Sequence, residues 1–209
     1  MARYLLLHGY GGVGPDHWLV WLSTELRARG HMARIRKLPN PNGPVLPTWT
    51  ATLRERLIAL DQAPELGEAD RAERGDPSGE LVVVAHSLGA RTWIDHLVHY
   101  EPGLPYADRV ALVAPPQLPS GAHAELISGF YDMDLSPIDA SVAARSTRAV
   151  ISSNDSFWPN AGAIPAIVEP LGVPCDQLGD CGHFEPQDGF GTWPGMLAWC
   201  LGDAETITR

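Results

Sequence analysis

The chain has 209 residues, of which 44% are hydrophobic, and this length and composition predict one globular domain over residues 1–209 with a substantial core. A formal net charge of −10 argues against nucleic acid and anionic membranes as partners, because either would leave a basic patch. No apolar run approaches the ~18 residues of a membrane span, and the N-terminal apolar stretch is too short for a signal peptide, so we expect a cytoplasmic protein.

Strand-like apolar runs recur along the chain, and most are continuous rather than alternating. They cover residues 3–7, 32–38, 80–85, 109–114, 148–153 and 175–179. Continuous runs are typical of parallel strands that are covered by helices on both faces. Helical spacing lies between several of them: from Pro15 to Gly30, after Thr48 as a candidate N-cap, around Ile94, and over residues 192–201. The alternation predicts a three-layer α/β fold.

The first loop, in the stretch LLLHGYGGVGPDHW, raises the question of which ligand its glycines serve. Gly9, Gly11 and Gly14 satisfy the G-x-G-x-x-G pattern of dinucleotide-binding folds, which is weak when it stands alone. Two details oppose a dinucleotide. Gly14 precedes Pro15 and so stands before the helix, and the second strand ends without the acidic residue that holds a ribose.

Residues 61–80 form the most acidic stretch, with seven acidic and two basic side chains. Gly, Pro and Ser are scattered through it, and Leu66 is its only large aliphatic residue. This composition predicts an acidic, solvated surface loop. A binding tail for a basic partner is the alternative.

The strongest motif is LVVVAHSLGARTWIDHLVHY. Four apolar residues lead into AHSLG, and a helical pattern follows at once, which is the context of a nucleophile elbow. Ala85 and Gly89 are small enough to let the strand and the helix approach closely around Ser87, although Ala85 replaces the first glycine of the G-x-S-x-G pattern. A serine in this place could instead be a simple helix N-cap.

A serine nucleophile needs a base that is itself held by an acid. In α/β-hydrolases the acid and then the histidine follow the serine, each after a later strand. Asp155 follows the fifth apolar run and His183 follows the sixth. We therefore expect Ser87, Asp155 and His183 to form a catalytic triad.

Other residues compete for these roles. Asp176 and Asp180 could be surface carboxylates or supporting groups. His86 adjoins the serine, but neighbours on a sharp turn point in different directions, so it is a poor base. His96 and His99 belong to the predicted helix, and His123 to a later loop.

Acyl transfer also needs two backbone N–H donors for the oxyanion. Leu88, the residue after the serine, is expected to supply one of them. The glycine loop is expected to supply the other through Tyr10, with Gly11 as the alternative donor.

Four segments together resemble the YdeN-like serine hydrolases, the family that includes retinoblastoma-binding protein nine. They are LLLHGYGG with DHWLVWL, the elbow AHSLGA, the acid loop SSNDSFWP and the base loop DCGHF. The resemblance covers nearly the whole chain. It implies a small α/β-hydrolase with a compact cap and a triad at Ser87, Asp155 and His183. Since the first strand begins at residue 3, it also implies a minimal, mostly parallel six-stranded sheet with helices on both faces.

Substrate contacts are harder to assign. Residues 115–147 occupy the usual place of a cap, and aromatic residues near the catalytic loops predict an apolar acyl or alcohol pocket. The expected contacts are Gly9, Gly11, Phe157, Trp158 and Phe184. Trp158 could equally be a core residue, and we expect His17 to cap its helix rather than contact substrate.

The sequence thus predicts a hydrolase that cleaves carboxylic esters of small acyl substrates through an acyl-enzyme, with no metal or cofactor. Cys175, Cys181 and Cys200 form no CxxC pair and are expected to be free thiols. A thioesterase, amidase or acyltransferase would use the same constellation. A protein-binding scaffold of hydrolase fold is the alternative from another class, although the sequence identifies no protein partner.

Overall fold

One sheet forms the centre of the molecule. The computed structural model describes residues 1–62, 79–117, 124–136, 138–157 and 166–209. Its strands are β1 (Arg3–Leu7), β2 (Met32–Arg36), β3 (Leu81–His86), β4 (Ala107–Val113), β5 (Ala144–Ile151) and β6 (Cys175–Gln177). Each predicted run overlaps one strand. β4 and β5 begin before their runs, because their first residues include polar side chains that hide the apolar signal.

The strand order is β2-β1-β3-β4-β5-β6, and every pairing within the described residues is parallel. The carboxyl ends of the strands therefore meet at one edge of the sheet. The chain adds β2 on one side of β1 and β3 on the other, so the order reverses between β1 and β3. Ligands of open α/β sheets bind at such a switch point. The glycine loop follows β1 and Ser87 follows β3, so both lie there.

Helices cover both faces of the sheet. The described residues form α1 (Trp18–Ala28), α2 (Leu46–Asp61), α3 (Leu88–Val98) and α4 (Pro194–Leu201). In β1, Leu5 and Leu7 join the core cluster that contains α2 and α3, whereas Tyr4 and Leu6 join the cluster that contains α1 and α4. This two-sided burial is what the continuous apolar runs predicted. No helix in the described part of the chain has the length and apolar character needed to cross a bilayer.

The two long N-terminal helices begin in different ways. His17 is the N-cap of α1, as expected, and its Nδ1 accepts the N–H of Leu19 at 3.1 Å. The prediction that Thr48 caps α2 is wrong. That helix begins at Leu46, and its N-cap is Val45, whose side chain makes no capping bond. Proline in the first turn explains the earlier start, because its fixed φ suits that position.

The acidic stretch at 61–80 is more structured at its two ends than we expected. Asp61 is the last residue of α2. Glu80 is not a solvated loop residue, because its two carboxylate oxygens accept bonds of 2.7 and 2.8 Å from the guanidinium of Arg109. Residues 63–78 lie outside the described part of the chain.

The described parts of the expected cap region, residues 115–117, 124–136 and 138–147, contact the body of the protein at several points. Its end belongs to the sheet, since β5 begins at Ala144. The ring of Phe130 lies 5.3 Å from the ring of Trp49 in α2. The buried guanidinium of Arg91 in α3 donates three hydrogen bonds to main-chain oxygens of this region. The acceptors are Pro116, Gln117 and Phe130.

Candidate active site

Ser87 lies on a tight turn between β3 and α3. Its backbone angles, φ 55° and ψ −124°, are strained for a residue other than glycine. Gly89 permits the turn, because a Cβ at that position would lie 2.7 Å from the carbonyl oxygen of His8. Ser87 stands at the N-cap position of α3, but its side chain makes no capping bond. The strain and the missing capping bond favour a nucleophile elbow over a simple N-cap.

The structure brings the three residues of the predicted triad together. The hydroxyl of Ser87 donates to Nε2 of His183 at 2.8 Å. Nδ1–H of His183 donates to both carboxylate oxygens of Asp155, at 2.8 and 3.0 Å. All three side chains are buried. Asp155 also accepts the N–H of Phe157 at 2.9 Å, so its carboxylate is held on two sides.

Side-chain bonds join the loop after β5 to the loop after β6. Oδ1 of Asn154 accepts the N–H of Gly182 at 2.7 Å and the hydroxyl of Ser152 at 2.8 Å. The oxygen of Ser152 in turn accepts the N–H of Cys181 at 2.9 Å. These bonds fix the spacing between the loop of Asp155 and the loop of His183. The sequence does not reveal these bonds, because polar loop residues carry no periodic signal.

The two other candidates for the acid of the triad, Asp176 and Asp180, bond other residues. Asp180 accepts the hydroxyl of Ser153 at 2.6 Å. Asp176 forms an ion pair of 2.8 Å with Arg148 and accepts the N–H of Ile207 at 2.8 Å. Within the described residues, neither contacts His183 by a hydrogen bond or ion pair, and the carboxylate that accepts from its imidazole is that of Asp155.

The loop after β1 lies directly against Ser87. A Cβ on Gly9 would be 2.7 Å from Cβ of Ser87 and 3.0 Å from its Oγ, so only glycine fits. His8 holds this loop, since its Nδ1–H donates to the carbonyl oxygen of Gly9 at 2.7 Å and its Nε2 accepts the N–H of Leu38 at 2.9 Å. Burial lowers the pKa of His8, which keeps the ring neutral for both bonds. The only sequence signal for this role was a histidine directly before the first loop glycine.

The two predicted oxyanion donors lie on different segments, Leu88 directly after the serine and Tyr10 in the loop after β1. Leu88 is the first residue of α3, and the first N–H groups of a helix have no acceptor within the helix. Gly11 is the alternative loop donor, but its N–H already donates to the carbonyl oxygen of Pro41 at 2.9 Å. Tyr10 lines the cavity at Ser87. The bond to Pro41 argues against Gly11 as the loop donor.

A cavity of about 380 Å³ opens at Ser87. Besides the serine and His183, its described lining includes Tyr10, Asn154, Phe157, Glu185, Gln187 and Asp188. Two carboxylates and two amides make this lining more polar than the apolar pocket we expected. No described residue of the 115–147 region lines the cavity.

The expected aromatic contacts have different outcomes. Phe157 lines the cavity, with its ring 4.5 Å from the ring of His183. Phe184 does not reach the cavity. It is fully buried, and its ring stacks on Trp193 at 5.1 Å, so the expected substrate contact is wrong for this residue. Trp158 lies outside the described residues.

Comparison with known proteins identifies the family. The profile of the serine hydrolase family matches residues 4–66 and 70–200. The chain belongs to the serine hydrolase family. It is 30% identical over 96 residues to the YdeN hydrolase of Bacillus subtilis (strain 168), and this alignment covers 46% of the chain. The aligned part spans 42% of that relative's length.

Solved structures show the fold of this serine hydrolase. The ydeN gene product of B. subtilis matches with a TM-score of 0.73 and 21% identity, over 97% of this chain and 98% of that one. A YdeN-like hydrolase from Pectobacterium atrosepticum matches with a TM-score of 0.66 and 19% identity, over 97% and 90% of the chains. The methylesterase MES16 from Arabidopsis matches with a TM-score of 0.56 and 14% identity, over 97% and 98%. The predicted α/β-hydrolase fold and the YdeN-like resemblance are confirmed.

A cluster of titratable side chains lies behind the triad of this serine hydrolase. Ligand atoms of His17, His86 and Glu185 lie within 4.8 Å of one another, close enough to suggest a metal site. The histidines do not fit one well. A neutral imidazole has a single ring lone pair, and His17 already uses its own to accept the N–H of Leu19, so Nε2–H faces Glu185 at 3.6 Å. A metal at Nε2 would require loss of that helix cap.

Burial sets the charge state of the same cluster. It lowers the pKa of His17 to about 4 and holds the pKa of His86 well below 6.5. Burial also raises the pKa of Glu185. The two imidazoles are therefore neutral near pH 7, where His17 caps α1 and His86 contacts the carbonyl oxygen of His183 at 2.9 Å.

Proposed function

We propose that this serine hydrolase cleaves carboxylic esters of small acyl substrates through an acyl-enzyme intermediate. The observation that supports this most strongly is the continuous chain of hydrogen bonds from Ser87 through His183 to Asp155, with 2.8 Å at the serine and 2.8 Å at the acid. A serine hydroxyl is a weak nucleophile at neutral pH, and a neutral imidazole in direct contact removes its proton as it attacks.

Each side chain then has one role in the reaction. Oγ of Ser87 attacks the ester carbonyl while Nε2 of His183 takes its proton. Asp155 holds the imidazole in the required orientation and stabilises the imidazolium. The backbone N–H groups of Tyr10 and Leu88 bind the tetrahedral oxyanion. His183 next returns the proton to the leaving alcohol, and the acyl group stays on Ser87.

A water molecule completes the cycle. His183 takes a proton from this water, which attacks the acyl-enzyme carbonyl and forms a second tetrahedral intermediate. When that intermediate collapses, the ester bond to Ser87 breaks and the carboxylic acid leaves. The proton on His183 returns to Oγ, which restores the starting state.

The cavity and one structural neighbour support an ester as the substrate. A volume of about 380 Å³ suits a small molecule, and the rings of Tyr10 and Phe157 provide apolar surface beside the serine. The neighbour MES16 is described as a methylesterase. The same residues would serve a thioester or an amide, so the reaction class must be tested directly.

The test compares an ester, a thioester and an amide that carry the same acyl group, with Ser87→Ala as the control. We expect the ester to have the highest kcat/KM and the variant to lose at least about 10³-fold in kcat. A higher kcat/KM for the thioester or the amide would change the reaction class. Equal turnover by wild type and variant would remove Ser87 from the mechanism and favour the binding-scaffold alternative.

A further inference from the structure

The loop that carries His183 has no regular secondary structure, since it lies between β6 and the short 3₁₀ helix Pro186–Asp188. Sheet or helix hydrogen bonds therefore do not set its position. Two side chains hold the main chain of His183 instead. Nε2 of His86 lies 2.9 Å from its carbonyl oxygen, and Oδ2 of Asp188 accepts its N–H at 2.8 Å.

We propose that His86 and Asp188 are positioning residues that clamp the main chain of His183 and so set the distance from its imidazole to Ser87. This inference rests on the proposed function, because it assigns the clamp to the base of that reaction. Neither residue touches the reacting atoms in the proposed mechanism. Both act through His183.

The position of His86 couples the nucleophile to the base. His86 is the last residue of β3 and Ser87 follows it on the turn, so both lie at the carboxyl end of the same strand. Its ring is buried and lies between the rings of His17 and His183, at 5.3 and 5.1 Å. A carbonyl oxygen only accepts hydrogen bonds, so Nε2 of His86 must carry the proton. Because burial keeps the pKa of His86 well below 6.5, this neutral tautomer persists at neutral pH.

Asp188 holds the opposite side of the same residue. Its Oδ2 accepts the N–H of His183 at 2.8 Å and the N–H of Glu185 at 3.1 Å. Gly182 makes room for this carboxylate, because a Cβ there would lie 2.2 Å from Cγ of Asp188. The carboxylate of Asp188 thus explains why a glycine stands at this position of DCGHF.

Backbone strain explains why such a loop needs a clamp. Phe184, the residue after His183, has φ 57°, a left-handed conformation that is uncommon for a bulky side chain. Such a conformation costs free energy and persists only where the surroundings enforce it. The buried ring of Phe184 is held by stacking on Trp193, while His86 and Asp188 hold the main chain before it.

The test uses two matched pairs of variants in the full chain, and measures kcat, KM and the rate at which a fluorophosphonate labels Ser87. His86→Phe keeps a buried ring but removes the donor, whereas His86→Gln keeps an N–H donor of similar reach. Asp188→Ala removes the acceptor, whereas Asp188→Asn keeps a side-chain oxygen. We expect His86→Phe and Asp188→Ala to lower kcat and the labelling rate about 10- to 100-fold. Asp188 also lines the cavity, so the substrate in this test is a neutral ester. For that ester KM should change less than about threefold, and Gln and Asn should recover most of the loss.

The outcomes separate a positioning role from a purely structural one. Unfolding temperatures of all four variants identify any variant that fails to fold, and either pair is sufficient alone. A folded His86→Phe or Asp188→Ala variant with wild-type kcat and labelling rate would overturn the clamp while the proposed function stands. A loss that Gln and Asn do not recover would also overturn it, because the donor and acceptor would then not be the cause. If the wild type is not labelled at Ser87, the proposed function fails and the clamp fails with it.

Discussion

Gly9 and Ser87 are in contact across the switch point of the sheet. The position that a Cβ of Gly9 would take lies 2.7 Å from Cβ of Ser87 and 3.0 Å from its Oγ. Such distances are too short for ordinary packing, so the loop after β1 approaches the serine only because residue 9 has no side chain. The same close approach brings the next residue, Tyr10, to the cavity as the proposed oxyanion donor.

Gly9→Ala should therefore lower kcat by at least about 100-fold, because the added methyl group displaces either Ser87 or the loop of Tyr10. Gly14→Ala is the matched control in the same loop. A Cβ on Gly14 meets no atom within 4 Å, so this variant should behave as the wild type. Steady-state kinetics of both variants on one ester check the prediction. Equal kcat values for the two variants would show that the contact is irrelevant to turnover.

Asp155→Asn should damage turnover far more than substrate binding. The carboxylate accepts Nδ1–H of His183 through both oxygens, and an amide in its place favours the wrong imidazole tautomer. We expect kcat to fall about 10³-fold or more with KM nearly unchanged. Asp180→Asn, in the neighbouring loop, is the control because Asp180 bonds Ser153 instead. Full turnover in Asp155→Asn would mean that another acid supports the base.

Lowering the pH below 6.5 should destabilise the folded protein, although its buried histidines are not yet protonated. Burial lowers the pKa of His17 and of His96 from 6.5 to about 4. Between these pH values the unfolded chain binds protons that the folded chain does not, so the free energy of unfolding falls as the pH falls. Each shift corresponds to a stability loss on the order of 3 kcal/mol across the window.

Denaturant titrations from pH 7 to pH 4 measure this loss. His96→Gln should make the pH dependence shallower, because it removes one of the titrating groups. His99→Gln, at the C-cap of the same helix, is the control, since that side chain is 64% exposed. A stability that does not change between pH 7 and pH 4 would contradict the assignment of neutral buried imidazoles.

The charge of the cavity should select among esters. Its described lining includes the carboxylates of Glu185 and Asp188 and no lysine or arginine. An ester with a carboxylate on the acyl group should therefore have a lower kcat/KM than a neutral ester of the same size. Glu185→Gln should narrow this difference, and Glu205→Gln, an exposed acid elsewhere on the chain, should leave it unchanged. A preference of the wild type for the anionic ester would refute the prediction.

The sequence predicts the fold well, because the relevant signals are local. Continuous apolar runs identify strands that are buried on two faces, and their alternation with helices predicts a three-layer α/β fold. Ser87 is recognisable for the same reason, since a strand, a small residue, a serine and a helix are adjacent in the chain. Chain order then leads to Asp155 and His183, which the structure places in hydrogen-bond contact with each other. Their catalytic roles stay predictions until the variants are measured.

The wrong or missing predictions concern residues whose tertiary contacts cannot be read from the neighbouring sequence. Phe184 follows His183 and looks available to substrate, but its positive φ turns the ring into the core against Trp193. The composition around Glu80 predicts a solvated loop residue, but the guanidinium of Arg109 in β4 bonds both of its carboxylate oxygens. The support of His183 by His86 joins residues 97 positions apart, so no spacing rule could reveal it.

Reaction with a fluorophosphonate tests directly whether Ser87 is an activated nucleophile. Wild type and Ser87→Ala would be treated with the probe and compared by intact mass and peptide mapping. We expect one added phosphonyl group on the wild type, mapped to Ser87, and none on the variant. An unlabelled wild type, or a label on another residue that persists in Ser87→Ala, would contradict an activated serine at this site.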